Sequence, residues 1–340
     1  MHVSIVYDNN GVGLTRDALI LSETLQADGI RASLIPIREF NPDLPWTRLR
    51  QWRHIRALMR QHCSPREQPP FDLMLFLEHI EPDYCRLARA VAYLPNPEWS
   101  NPRDVAGLRL VDRVLAKTLD TRTIFEPLGR PVTHIGFTSL DRWMPLPDSE
   151  RRREFFHLAG RSRQKGTAAL IEVWKRHPEW PTLSIIQHPS RAKRMPGTSG
   201  IANISHICRY LDDHTLRWMQ NLYRFHLCPS EAEGYGHYIA EALSCGAIVL
   251  STDAPPMNEL VTPDRGMLVA PCRQTGQHLG MNHFVCADDL EAAIERLLAL
   301  PEERLNALSQ NARAWFARND AGFRKRLPAA VRSMVAGQPG

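Results

Sequence analysis

Pro229-Ser230-Glu231-Ala232-Glu233-Gly234-Tyr235-Gly236-His237-Tyr238-Ile239-Ala240-Glu241-Ala242-Leu243 is the stretch on which the reading of this chain turns. Residues 225–228 before it are apolar enough for an inner strand, residues 238–244 read as a helix closed by Gly246, and residues 247–251 read as the next strand. Gly234 and Gly236 let the backbone approach a ligand closely, and the helix that follows presents its first N–H groups and positive dipole end to an anion. A phosphate suits that place. Glu233 at the lip of the turn and Glu241, eight residues on, do not suit a phosphate, but they suit the hydroxyls of a sugar or ribose as acceptors. Phosphate and hydroxyl sites in one turn point to a sugar nucleotide.

Working outward, the same alternation of apolar run and amphipathic helix fills both halves of the chain. In the first half, strands are expected at residues 3–7, 32–36, 73–77, 90–94, Arg113–Ala116 and 131–135. Thr15 is the expected cap of a helix running to about residue 28, with Ala18, Leu21 and Leu25 on its apolar face. Residues 47–62 read as a basic helix with Leu49, Trp52, Ile55 and Met59 on one stripe, suited to packing by one face or to peripheral contact with an anionic inner-membrane surface. Proline and charge gather between Trp143 and Arg153, which reads as a linker. The second half restarts with a strand at 155–158, a helix Thr167–Arg176 and a strand Leu183–Gln187, and residues 288–336 are strongly helical with a cap at Asp288 or Asp289. The expected fold class is therefore α/β, two facing doubly wound Rossmann-like domains, residues 1–148 and 149–320, followed by a helical segment 321–340.

Composition narrows the function. With 43% hydrophobic and 23% charged residues in 340, the chain can bury two cores, so a disordered chain is excluded. No apolar run is long enough to span a membrane, and the first residues lack the pattern of a secretory signal, so a cytoplasmic location is expected. Residues 1–150 carry 18 Lys+Arg against 19 Asp+Glu, so the net charge of +5 lies in the remainder. That excess fits a phosphate-bearing small ligand and is too thin for a nucleic-acid stripe. Seven cysteines, an odd set with no C-x-x-C, indicate neither a disulfide framework nor a zinc site. Cys245 is expected to be core packing. Only five of the 42 basic residues are lysine, which singles out Lys165.

The Glu233…Glu241 spacing, the Glu-Gly-Tyr-Gly core, the following Glu-Ala-Leu-Ser-Cys-Gly and the run Asp253-Ala254-Pro255-Pro256-Met257-Asn258-Glu259 together resemble the donor-binding signature of family-4-type retaining glycosyltransferases of the GT-B fold. The close resemblance covers roughly residues 225–270. It implies that Glu233 lies against the donor sugar, that Glu241 accepts from the ribose, that the backbone of Gly234, Tyr235, Gly236 and His237 holds sugar hydroxyls and diphosphate, and that Glu259 belongs to the same site. Gly160-Arg161-Ser162-Arg163-Gln164-Lys165-Gly166 is similar to the family's G-R-x(n)-K-G segment. Two cations on a glycine-bounded loop can balance the charge that grows on a leaving diphosphate. Lys165 and Arg161 take that role, with Arg163 as the alternative to Arg161.

In the first half, Gly11-Val12-Gly13 resembles the family's glycine loop, with Gly13 near the donor. His79 follows a strand at the sheet edge where open α/β folds place their sites, and the resemblance sets it near the donor sugar. Asn96, Glu98 and Trp99 are candidates for the acceptor side. The chain lacks Asp-x-Asp, a P-loop, a G-x-S-x-G elbow and H-E-x-x-H, so no metal and no cofactor are expected. The resemblance implies a retaining, metal-independent hexosyl transfer from a nucleotide-diphospho-sugar to a glycan or glycolipid of the cell envelope, such as lipopolysaccharide. It also implies a cleft between the domains and a last helix returning to the first. A nucleotide-sugar epimerase of the same fold, a non-catalytic nucleotide-sugar-binding subunit and an NAD-dependent dehydrogenase are the alternatives.

Overall fold

The computed structural model describes residues 1–39, 55–57, 69–147, 150–192 and 197–337. The apolar runs of the first half form six strands: β1 (His2–Asn9), β2 (Arg31–Glu39), β3 (Phe71–Leu77), β4 (Ala88–Leu94), β5 (Arg113–Ala116) and β6 (Val132–His134). They lie in the order β2-β1-β3-β4-β5-β6, with every neighbouring pair parallel. Strand β3, Phe-Asp-Leu-Met-Leu-Phe-Leu, is buried at every residue except Asp72, as expected of a strand covered on both faces. Helices α1 (Gly13–Ala27), α2 (Pro102–Gly107) and α3 (Leu119–Phe125) connect these strands. Leu14, Ala18, Leu21 and Leu25 are the buried apolar face of α1. Thr15 is not its cap. The cap position is Val12, and the Thr15 hydroxyl accepts from Gly11 N–H at 2.9 Å and donates to Asn9 Oδ1 at 2.8 Å, tying the turn together instead.

The second half repeats the plan. Strands β7 (Arg152–Gly160), β8 (Leu183–Gln187), β9 (Ile204–Ile207), β10 (Tyr223–Cys228), β11 (Ile248–Thr252) and β12 (Gly266–Val269) pair in parallel in the order β12-β11-β10-β7-β8-β9. Helices α4 (Thr167–Arg176), α5 (Asp213–Leu222), α6 (His237–Ser244), α7 (Ala287–Leu298) and α8 (Glu302–Ala336) follow in turn. Phe155, Trp174 and Phe225 form the aromatic centre of one core, with ring centroids 5.0 Å apart in the Phe155–Trp174 and Phe155–Phe225 pairs. Two further strands, β13 (Arg273–Gln277) and β14 (Gly280–Phe284), make a separate two-stranded sheet.

Both six-stranded orders reverse once, between β1 and β3 in the first sheet and between β7 and β10 in the second. At such a reversal the connections leave in opposite directions and open a crevice beyond the carboxyl ends of the strands. The loops after β7 and β10 are Gly160–Gly166 and Pro229–Gly236; those after β1 and β3 hold Gly11–Gly13 and Glu78-His79.

The chain separates into two compact units, residues 1–137 with 278–280 and 321–340, and residues 138–277 with 281–320. The boundary expected at 148/149 falls on residues outside the described set, and the division lies earlier, at Phe137/Thr138. The stretch read as a linker is stitched to the second unit. Met144 N–H donates to Asn221 Oδ1 at 3.1 Å, and the Arg151 guanidinium donates to the carbonyls of Cys245 at 3.3 Å and Gly246 at 3.2 Å. The helical segment expected over 288–336 is two helices, separated at Pro301, and α7 is capped at Cys286 without a side-chain hydrogen bond, so neither Asp288 nor Asp289 caps it. Helix α8 crosses from one unit to the other at Asp320/Ala321.

The basic helix expected at 47–62 lies outside the described residues except for 55–57, which are helical, with Ile55 buried in the core of the first unit. No helix among the described residues is long and apolar enough to cross a membrane. The cysteine arithmetic missed one bond: Cys272 and Cys286 form a disulfide bracketing β13 and β14, because that excursion brings two positions 14 apart in sequence to a Cα–Cα distance of 5.8 Å. Cys245 is buried, with its thiol pushed up to about 12 by burial.

Candidate active site

At the β7/β10 reversal the two loops are joined by a backbone bond, Glu231 N–H donating to Gln164 O at 2.8 Å. Gly166 makes the approach feasible. Its φ is +66°, and a Cβ there would lie 2.4 Å from Pro229 O, so the position admits only glycine without movement. Below the loops, buried His157 ties β7 to β10 and to the first residue of α4: its Nδ1 is 2.7 Å from Leu227 O and its Nε2 2.9 Å from Thr167 Oγ1. Since Leu227 O only accepts, Nδ1 carries the proton and Nε2 accepts from Thr167. Burial holds this imidazole down to about 4, so it stays neutral and the bonding pattern is fixed.

This scaffold brings Lys165 and Glu233 together. Lys165 Nζ pairs with Glu233 Oε1 and lies 3.7 Å from the centroid of the Tyr238 ring. Ser230 Oγ donates to the same carboxylate oxygen at 2.5 Å, and the Tyr238 hydroxyl lies 2.5 Å from Ser230 Oγ. Directly after these residues comes the start of α6, capped by Gly236 at φ +102°, where a Cβ would meet Leu260 Cδ1 at 2.9 Å. A cation, an acid and a helix N-terminus therefore share one end of the sheet, which is what binding a diphosphate beside a polyol requires.

The other expected donor residues have their own partners. Glu241 is 2% exposed, and its two oxygens accept from Ser139 Oγ and Gln220 Nε2, each at 3.2 Å. The Ser139 hydroxyl also lies 2.9 Å from His237 Nδ1. Having given its proton to Glu241, it accepts there from the imidazole. Gln220 accepts in turn from Arg142 Nε at 2.8 Å, and Arg142 pairs with Asp213 at 2.7 Å. Tyr235 is buried, its hydroxyl accepting from Asn319 at 3.2 Å. Glu259 is half-buried in a four-residue helix, Met257–Leu260, where its carbonyl holds Arg265. Arg161 and Arg163 are exposed. Arg191 Nε donates to the carbonyl of Arg161, and Arg163 lines a cavity of about 520 Å³ together with Ser162, Thr167, Glu231 and Phe284. That cavity lies beside the Lys165–Glu233 pair; neither residue lines it.

In the first unit, Gly13 opens α1 with nothing within 4 Å of a Cβ added there. His79 Nδ1 meets Asp104 Oδ2 at 3.0 Å. Asp104 is fixed by the first turn of α2, where Asn101 and Asp104 cap each other reciprocally. Beside His79 stands a residue the sequence reading missed. Glu78 has φ +65°, a left-handed conformation a glutamate adopts only under constraint, and burial raises its carboxyl. Its Oε2 accepts from Asn96 Nδ2 at 2.8 Å, and Asn96 is 8% exposed with Oδ1 unmatched among the described residues. Of the other acceptor candidates, Glu98 is buried and Trp99 exposed.

No curated protein matches the sequence at a significant level. Solved structures match along the whole chain. Sucrose-phosphate synthase from Thermosynechococcus elongatus superposes with a TM-score of 0.76 at 15% identity, covering 99% of each chain. HepE of Anabaena, in complex with UDP and glucose, gives 0.70 at 15% identity over 98% of this chain and all of the other. WaaG, a glycosyltransferase involved in lipopolysaccharide biosynthesis, gives 0.64 at 14% identity over 99% and 100%. At these identities the likeness shows the fold, the GT-B type with two Rossmann-like domains. The family model for glycosyl transferases group 1 matches residues 146–315, half of the 340 residues and the part that carries Lys165, Glu233 and α6. The chain belongs to the group 1 glycosyl transferases.

Proposed function

We propose that the protein moves a hexose from a nucleotide-diphospho-sugar to a glycan or glycolipid acceptor of the cell envelope, with retention at the anomeric carbon and without a resident metal or cofactor. The observation that carries this reading is the Lys165–Glu233 contact at the strand reversal, immediately before the N-terminus of α6. Binding of UDP and glucose by HepE and the lipopolysaccharide role of WaaG support the donor and acceptor classes by analogy of fold.

The chemistry follows from charge. As the bond between the anomeric carbon and the diphosphate oxygen breaks, negative charge grows on the phosphate, and Lys165, Arg161 and the α6 N–H groups stabilise it. The sugar passes through an oxocarbenium-like state while Glu233 holds a sugar hydroxyl. The acceptor oxygen bonds to the anomeric carbon on the face the diphosphate leaves, and a phosphate oxygen takes the acceptor's proton.

The test is donor turnover against a panel of UDP-, GDP-, ADP- and dTDP-sugars, with product anomer read by NMR. Glu233→Ala and Lys165→Ala are expected to lower transfer by at least about a hundredfold while the fold survives, the scale of losing one charge-stabilising group. Near-normal turnover in both variants defeats the reading.

A further inference from the structure

Beneath the Lys165–Glu233 pair lies Tyr238, a position to which neither the acid spacing nor the basic loop assigns a role. It is 8% exposed and makes contact with both members of the pair in different ways. Its ring face is 3.7 Å from Lys165 Nζ, close enough for a strong cation–π attraction. Its hydroxyl reaches Glu233 through Ser230, which is fully buried. Ser230 has one proton, and that proton goes to the Glu233 carboxylate. The hydrogen between Ser230 and Tyr238 therefore comes from the phenol, and the order of donation is Tyr238 to Ser230 to Glu233.

Core packing alone does not call for this arrangement. The following residues of α6, Ile239, Ala240, Ala242 and Leu243, are apolar and fully buried, and phenylalanine at 238 fills the same space without a hydroxyl that needs a partner. Burial holds the phenol well above its usual range, so it remains a donor wherever the enzyme works.

We infer that Tyr238 is a positioning residue for glycosyl transfer, its ring holding Lys165 toward the donor diphosphate and its hydroxyl, through Ser230, aiming Glu233 at the donor sugar. The inference rests on the function proposed above. In the unliganded protein Lys165 is shared between Glu233 and the ring; an arriving diphosphate takes the ammonium from Glu233, and the ring keeps it from swinging away. The Ser230 proton stays with Glu233 throughout.

The two halves of the role separate by substitution. The probes are UDP, GDP, ADP and dTDP by calorimetry, and hydrolysis of the nucleotide sugar the wild type turns over fastest. Tyr238→Phe keeps the ring, so binding of the preferred nucleoside diphosphate stays within about twofold while kcat falls about tenfold, because Glu233 loses the donor chain that aims it. Ser230→Ala lowers kcat in the same way and leaves that binding within about twofold. Tyr238→Leu weakens diphosphate binding about tenfold as well, on the scale of a desolvated cation–π contact. Equal kcat and equal nucleoside diphosphate affinity for the phenylalanine and leucine variants overturn the inference. If the leucine variant does not fold, the other two decide, and a wild-type kcat in both overturns it. A wild type that binds none of the four nucleotides overturns the donor reading and this inference together, whereas wild-type-like variants of an enzyme that binds one overturn this inference alone.

Discussion

His79 Nδ1 sits 3.0 Å from Asp104 Oδ2, on a carboxylate that also accepts the backbone N–H groups of Ile80 and Asn101. That hydrogen bond raises the imidazole above its usual value, burial opposes it, and the charges of Asp104, Glu78 and Asp8 add to the rise. A raised folded value means that folding favours the protonated form. The resulting stability is fully present below the unfolded value near about 6.5 and is lost as pH climbs through the folded one. Denaturant midpoints of wild type and His79→Gln are therefore expected to differ most below about pH 6.5 and to converge as pH rises past the raised folded value. A gap independent of pH contradicts the assignment.

Lys117 and Asp17 form the most deeply buried ion pair among the described residues of the first unit, 2.9 Å apart with side chains 3% and 4% exposed. Each charge depends on the other, because neither reaches water. Lys117→Met removes the cation 2.9 Å from a carboxylate only 4% exposed and is expected to lower unfolding free energy by about 3–5 kcal/mol. Asp17→Leu with Lys117→Met is expected to recover most of the loss. Urea denaturation of the two variants measures both, and a double variant no better than the single one rules out the pairing argument.

Where apolar patterning controls the structure, the sequence is legible to the residue. Helix α4 over Thr167–Arg176 and strand β8 over Leu183–Gln187 have the expected limits, because a buried strand and a one-faced helix leave little freedom in either end. Strand β9, Ile-Ser-His-Ile, lies at the sheet edge and is half-exposed, and β13, Arg-Gln-Thr-Gly-Gln, is almost wholly exposed, so neither carries an apolar signal. The candidate site divides in the same way. Local spacing marks Lys165 and Glu233 but not their contact, which spans 68 residues, and it marks Glu241 but not the bonds from Ser139 and Gln220 that hold it. Glu78 carries no signal at all: its left-handed backbone comes from the turn between β3 and Asp104, and no glycine stands there to advertise it.

The Cys272–Cys286 bond closes the excursion whose residues hold the loop after β7. Gln164 Nε2 donates to Gln277 Oε1 at 2.8 Å and to Asn282 Oδ1 at 2.9 Å, and His283 N–H donates to Glu231 O at 2.7 Å. Both cysteines are exposed, so a small dithiol reaches the bond. Closing a loop of this length restricts the unfolded chain by about 3 kcal/mol. Dithiothreitol is expected to lower the melting temperature of the wild type and to leave Cys272→Ser unchanged. Equal response of the two proteins to reductant is incompatible with the bond.

Gly166 and Gly13 offer opposite tests of the two glycine-bearing loops. Alanine at 166 must adopt a left-handed φ, which costs about 1–2 kcal/mol, and its Cβ would stand 2.4 Å from a backbone oxygen that cannot rotate away. Pro229 therefore has to move, and Ser230 and Glu231 move with it, taking the Glu231–Gln164 bond and the proton that Ser230 gives Glu233. Gly166→Ala is expected to lower both stability, by about 2 kcal/mol or more, and nucleoside diphosphate affinity. At Gly13 the added methyl meets nothing within 4 Å, and the position opens a helix, so stability is expected to stay within about 0.5 kcal/mol. Any loss of transfer in Gly13→Ala then measures a ligand that needs the space, since the folded protein does not. Thermal unfolding and donor turnover of the two variants, taken together, separate a glycine kept for the fold from one kept for the substrate.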